Sequence, residues 1–193
     1  MKLQITGMAL AALLAAAPAA HADLIQNGGF ETGDFTDWTL NNDANSYSFV
    51  YGSDPGTTYV PHSGNYEALL GAYGADGTLS QTVTDASGVL LQLTYWLASD
   101  GNSPNDFSAY WNGKLIQGSA LTNIANSGYV EYTFDVYSTG SDTLTFDERD
   151  DYGFLSLDDV SLVYIPEPGT IALLGFGIGA LVFLRRRKSA TTV

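Results

Sequence analysis

The property that most narrows what this chain can fold into is alternation. Between residues 23 and 165, Val130, Tyr132, Phe134 and Val136 share one parity while Glu131, Thr133 and Asp135 share the other. Leu144 and Phe146 alternate in the same way with Thr143 and Thr145. A period of two sends successive side chains to opposite faces of a strand, one buried and one wetted. The apolar run Val89 to Leu97 suits a central strand, and Ser46 to Tyr51, Tyr66 to Leu70, Thr78 to Thr84, Phe107 to Trp111 and Phe154 to Tyr164 read as further strands. The breaks between them carry turn chemistry: Asp54-Pro55-Gly56, Ala75-Asp76-Gly77, Asp100-Gly101-Asn102 and Asn112-Gly113. These residues tolerate positive φ or pre-set a turn, and Asn-Gly signals a two-residue hairpin. With no helical period between the strands, the pattern predicts an all-β domain, a jelly-roll β-sandwich. An up-and-down barrel is the alternative that pattern alone leaves open.

The two ends of the chain do not share this pattern. Lys2, the Ala/Leu-rich stretch Ile5 to Ala17 and the small residues of Ala20-His21-Ala22 mark residues 1–22 as a secretory signal peptide. Residues 23–165 have a length suited to one β-sandwich domain with a single core. Residues 166–193 open on Pro166, Glu167, Pro168 and Gly169. The prolines fix φ and disfavour helix at each preceding residue, which makes a stiff, extended break. The segment 170–184 is uncharged. As a helix it would measure about 22 Å against a hydrocarbon core of about 30 Å, short for a permanent span. Arg185, Arg186, Arg187 and Lys188 then form a basic flank of cytoplasmic sign, which leaves the domain outside.

In this order, the Pro-Glu-Pro break, the short membrane segment and the basic end resemble the PEP-CTERM sorting signal of Gram-negative bacteria. The resemblance implies an exosortase-type processing enzyme that recognises the region around Pro166 to Pro168 and cuts there. The outer portion would pass from transient anchoring in the inner membrane to the cell surface or an exopolysaccharide matrix. An ordinary single-span anchor is the alternative.

Charge separates as sharply as hydropathy. Only Lys114 and Arg149 of the seven basic residues lie in 23–165, against twenty of the twenty-one acids, a formal charge of −18. Such a surface repels nucleic acid and anionic membranes and attracts divalent cations. There is no cysteine, so an exported domain of this sequence relies on packing, with bound metal as a further source of stability.

Two stretches bracket the domain. The first runs Leu24-Ile25-Gln26-Asn27-Gly28-Gly29-Phe30-Glu31-Thr32-Gly33 and on to Trp38; the second is Phe154-Leu155-Ser156-Leu157-Asp158-Asp159-Val160-Ser161-Leu162. They resemble the opening and closing segments of galactose-binding-domain-like jelly rolls, which include many carbohydrate-binding modules. The resemblance implies a structural Ca2+ held by Glu31 and Asp158 with backbone carbonyls. On strand parity Asp158 shares a face with Val160 and Leu162, so its carboxylate is expected to point inward and to need a partner. Hydrogen bonding of Glu31 and Asp158 to the N-terminal backbone is the alternative.

Two other acidic stretches carry weaker signals. Asp100 to Asp106 begins like a calcium loop, but Pro104 stands where a third ligand belongs and no Glu closes it. Asp147-Glu148-Arg149-Asp150-Asp151 reads as a solvated loop before the last strand, with cation binding as the alternative. Catalysis finds little support: His62 is the only histidine of the domain, no serine stands in a nucleophile-elbow pattern, and none of the twenty acids is singled out as a pair. Sugars stack their apolar faces on Trp and Tyr, which makes Tyr73, Trp96, Tyr110, Trp111 and Tyr152 the candidate platforms. Trp96, Trp111 and Tyr152 are the ligand residues put forward. The expected function is noncatalytic binding or association with extracellular polysaccharide, with a structural matrix or adhesion protein lacking a sugar site, or a secreted hydrolase, as alternatives.

Overall fold

The computed structural model describes residues 22–42, 46–54, 56–57 and 59–165. The expected signal peptide apart from Ala22, Pro166 to Gly169, the segment 170–184 and the basic flank Arg185 to Lys188 lie outside them. Among the described residues no helix is long and apolar enough to cross a membrane.

The alternation becomes eleven strands in the described residues: β1 (Thr39–Asn41), β2 (Phe49–Gly52), β3 (Tyr66–Leu70), β4 (Gly77–Thr84), β5 (Leu90–Ser99), β6 (Asn105–Trp111), β7 (Lys114–Leu115), β8 (Leu121–Thr122), β9 (Ser127–Tyr137), β10 (Ser141–Asp150) and β11 (Leu155–Tyr164). They form two sheets, all of whose pairings are antiparallel. The first runs β1-β4-β10-β6-β7, with β8 also on β6, and the second β2-β3-β11-β5-β9. Neighbours in sequence such as β4 and β5, or β10 and β11, lie in opposite sheets. That is a jelly-roll sandwich, and the up-and-down barrel falls away. Asn112 and Gly113 make the tight turn between β6 and β7, both at positive φ (51° and 72°), with Trp111 paired to Lys114.

Every second residue of the long strands enters the space between the sheets. Leu91, Leu93, Tyr95 and Leu97 of β5 meet Leu144 and Phe146 of β10 and Phe107 and Ala109 of β6, all of them buried. Tyr95 is the centre of this layer, its ring 5.2 Å from Phe146 and 5.6 Å from Phe107 between centroids. The stretch 147–151 is not the expected solvated loop. Residues 147–150 extend β10, because the alternation of Leu144 and Phe146 continues into Glu148 and Asp150, which face inward and are 0% and 2% exposed.

The second sheet closes on the N-terminal segment. β3 bonds only the first half of β11, from Leu155 to Leu157. Beyond a bulge between Asp158 and Ser161, with Asp159 at a φ of 48°, the N-terminal segment takes over the vacated edge. Leu24 N–H donates to Leu162 C=O (2.9 Å), Val160 N–H to Gly28 C=O (2.9 Å) and Leu162 N–H to Asp23 Oδ1 (2.9 Å). The same segment ties to the first sheet through Gln81, whose amide exchanges two hydrogen bonds with the Gln26 backbone (2.8 and 2.9 Å).

The Asn27 to Trp38 motif is a product of this closure. Phe30 is fully buried between Phe35 and Trp38. The Asn27 amide donates to Asp34 and Thr36 carbonyls, and Trp38 Nε1 donates to Asn27 C=O (3.1 Å). Gly28 is required by space: a Cβ there would overlap the Val160 carbonyl oxygen. Gly28→Ala is therefore expected to cost about 1–3 kcal/mol as an overpacking change, measured as a lower urea midpoint. An unchanged midpoint would show that the sandwich does not rest on this contact.

Candidate functional site

At the end of the sandwich where β10 passes into β11, the connections Gly71–Asp76 and Asp151–Phe154 meet the segment before β2. Backbone bonds fix them to one another: Tyr47 N–H to Gly71 C=O (3.0 Å) and Asp150 N–H to Ala72 C=O (3.0 Å). Gly74 N–H donates to Asp151 Oδ1 (2.9 Å). Between them lies a cleft of about 460 Å³ lined by Tyr47, Gly71, Tyr73 and residues 150–154. Tyr152 is 68% exposed, as expected for a ligand residue, and its ring stands edge-on to Tyr73 at 5.8 Å. Tyr47, 71% exposed, adds a third ring. Nothing in the alternation marked Tyr47, since it lies in a stretch expected to be strand; β2 begins two residues later.

The acids of this cleft occupy two different states. Asp151 accepts both Arg149 Nε (2.7 Å) and Nη2 (2.8 Å), and those bonds, with that from Gly74, hold its carboxyl down at about 2. Asp150 is 2% exposed, and its Oδ2 has no hydrogen-bond partner among the described residues. Burial, then the nearby charge of Asp100, pushes it up to about 7. Asp100 Oδ2 accepts Phe154 N–H (2.9 Å) and the Tyr59 hydroxyl (3.3 Å), and Asp100 also borders a second cleft of about 300 Å³ with Tyr59, Ala98, Asn126 and Ser156. The two weak acidic stretches thus come together in space. Asp151 N–H donates to Pro104 C=O (3.2 Å) and Asn102 Nδ2 to Tyr152 C=O (3.2 Å).

Trp96 and Trp111 are placed differently. Trp111 is 8% exposed, packs in the core and donates Nε1–H to Tyr137 C=O (2.9 Å), so it presents no platform. The parity of β6 decides this, because Trp111 shares a face with Phe107 and Ala109. Trp96 points to the outer face of the second sheet, between core residues Tyr95 and Leu97. One face of its indole is already covered by His62, stacked at 3.8 Å and 15°. His62 Nδ1 lies 2.6 Å from Asp159 Oδ2, and the Ser63 hydroxyl donates to Asp159 Oδ1 (2.8 Å). A serine, a histidine and an aspartate therefore gather here, but in the wrong order for nucleophilic catalysis: the serine proton goes to the carboxylate, not to the imidazole.

Beside Trp96, Asp158 sits directly across the β11–β5 pair. The bulge changes the parity argument. Leu155 and Leu157 face the core before it, Val160 and Leu162 after it, and Asp158 lies on the opposite, outer face, buried under residues 62–63. Burial pushes its carboxyl up to about 7 despite bonds from Ser63 N–H (3.1 Å) and Asp159 N–H (2.7 Å). On β3, Glu67 is also fully buried and raised by burial, with Tyr129 OH donating to Oε2 (2.6 Å).

Glu31 accepts Asn65 N–H (2.8 Å) and Tyr66 N–H (3.1 Å). Glu31 and Asp158 thus grip one backbone stretch, Ser63 to Tyr66, from two sides. A Cβ built on Gly29 would lie 3.8 Å from Asp158 Oδ1, 3.4 Å from Asp159 Oδ1 and 3.8 Å from Glu31 Cγ. The donor chemistry, carboxylate oxygen alone, is that of a hard cation. Their oxygens nevertheless already face N–H groups, and among the described residues no three His, Cys, Asp or Glu are grouped to hold a metal.

The architecture has known counterparts. TmCBM61, solved in complex with β-1,4-galactotriose, superposes with a TM-score of 0.54 at 20% identity, over 75% of this chain and 99% of that one. The CBM22-1 xylan-binding domain of Paenibacillus barcinonensis Xyn10C gives 0.57 at 14% identity, over 79% and 100%. The enzymatically active domain of bacteriophage CBA120 tailspike protein 4 gives 0.54 at 15% identity, over 74% of this chain, which spans only 21% of that one. At these identities the likeness speaks for the fold. No curated protein matches the sequence. Residues 165–188 match the PEP-CTERM protein-sorting motif, which marks an exported protein with a transient membrane anchor. The protein is thus a jelly-roll domain built like a carbohydrate-binding module and followed by a PEP-CTERM protein-sorting motif.

Proposed function

We propose that the protein binds extracellular polysaccharide without turning it over, and that exosortase-type processing near Pro166 to Gly169 delivers it to the cell surface or matrix. The observation that carries the binding half is the cleft of Tyr47, Tyr73 and Tyr152. Three exposed rings share a space of about 460 Å³ with the buried Asp150 and the half-buried Asp151, an apolar platform with polar groups beside it. Pyranose rings offer a flat C–H face to such rings and hydroxyls to the acids. The solved neighbours named for galactotriose and xylan support the reading by analogy of fold alone. We further propose that Glu31 and Asp158 hold a structural Ca2+, the ion taking carboxylate lone pairs that the Ser63 to Tyr66 N–H groups leave unused.

Three measurements bear on these roles. Each exposed ring of Tyr73 and Tyr152 contributes about 0.5–1.5 kcal/mol beyond its area, so the double alanine variant is expected to lose about tenfold or more in affinity electrophoresis against the producer's polysaccharide. Its melting temperature should not fall; binding that survives would remove the cleft from the function and favour a purely structural matrix role. Loss of an ion held at a hundredfold excess over Kd costs about 2.7 kcal/mol, so excess chelator should lower the melting temperature, and an unchanged melt leaves the N–H clamp as the sole tie. Intact mass of the protein from producing cells should end near Pro166 to Gly169, whereas a mass that includes Lys188 means the tail is an anchor only.

A further inference from the structure

If the cleft is the sugar site, its charge bears on what kind of sugar it takes. Of the two acids that line it, Asp151 is answered by Arg149 and Asp150 is not. Asp150 lines the cleft, is 2% exposed and keeps an unpartnered Oδ2 among the described residues. Asp100 stands behind it, held by Phe154 N–H and Tyr59. The nearest cationic group, the Arg149 guanidinium, is committed to its paired bonds with Asp151, and Lys114, the other basic residue of the domain, lies on β7 in the far hairpin. A buried carboxylate without a counter-ion ionises more readily beside a positive ligand than beside a negative one, and therefore favours the positive one. Aromatic faces add to the same preference, because a ring quadrupole attracts an ammonium group.

We propose that the cleft selects polysaccharide bearing free amines, with the ammonium of a deacetylated hexosamine drawn to Asp150 and Asp100 while the sugar's apolar face lies on Tyr152 and Tyr73. This rests on the cleft being the polysaccharide site. Uronic-acid polymers are excluded by the same charges, and N-acetylated polymers lose the attraction while keeping the stack. Two contributions thus divide the work of one site: the tyrosines hold any pyranose, and the acids choose among them.

The test is titration calorimetry of the full-length protein in mild detergent with a glucosamine hexamer, its fully N-acetylated counterpart and oligogalacturonate. A charge-assisted contact of about 1.4 kcal/mol corresponds to a tenfold preference, so the free amine is expected to bind about tenfold more tightly than the acetylated hexamer, with no binding of galacturonate. In Asp150→Asn the preference should shrink to within about twofold, the larger loss of affinity falling on the free-amine hexamer, and in Asp100→Asn it should shrink in part. Tyr152→Ala should weaken both hexamers alike. A preference that survives in Asp150→Asn reflects only the domain's overall negative charge and overturns the proposal, as does equal affinity for the two hexamers in the unaltered protein. Binding of both that ignores Tyr152→Ala overturns the cleft itself and the amine preference with it.

Discussion

The structure depends on one edge being shared. β11 is a central strand with two different partners on one side, β3 for its first half and the N-terminal segment for its second. The bulge at Asp158 to Ser161 makes the exchange possible, because it lets the strand turn its apolar residues inward again after one extra residue. Without the N-terminal segment, the N–H groups of Val160 and Leu162 would face an open edge, and Phe30 would leave a void beneath Trp38 and Phe146. The segment also bonds Gln81 of the other sheet, so the same few residues close the edge of one sheet and seam it to the other.

A domain with twenty acids and two bases cannot settle its carboxylates by ion pairing. It uses backbone and hydroxyl donors instead. Asp142, fully buried, is pushed up by burial, yet bonds from Asn112, Thr139 and Ser138 outweigh this and hold it at about 2. It thereby pins the β6–β7 turn to the β9–β10 turn. Glu31 and Asp158 do the same for residues 63–66, and Glu148 for Ser48 and Ala72, though burial leaves Glu148 raised. Asp150 departs from this economy. It sits on the core parity of β10 at the strand's last residue, where the layer of side chains runs out and few donors reach it.

Much of this was legible in the residues and some was not. Alternation announced β9 and β10, an apolar run announced β5, and Asn112-Gly113 announced its hairpin, because these signals are local. β1, β7 and β8 hold two or three residues each and exist only because a neighbour offers them an edge. The acidic composition of residues 147–151 suggested solvent, but parity carried further than polarity, and Glu148 and Asp150 followed Phe146 inward. Tyr152 was legible as a loop aromatic. The occlusion of Trp96 by His62 was not, since those residues are thirty-four apart in sequence and nothing local brings them together. Asp158 was read as buried for a reason that the bulge overturns: it is covered by a crossing segment on the outer face, not by the core.

The position of β11 also decides how the molecule carries load. Its first residues adjoin the tyrosine cleft and its last residues lead into the sorting motif at residue 165. Ten residues of strand span roughly 33 Å, so a ligand held in the cleft and a tail held in a membrane would pull on opposite ends of the same strand. Because β11 is bonded along both edges, such tension would shear many hydrogen bonds together instead of peeling them one at a time. The strand that completes the core would then also be the tether, and the domain would resist being drawn out by whatever it grips.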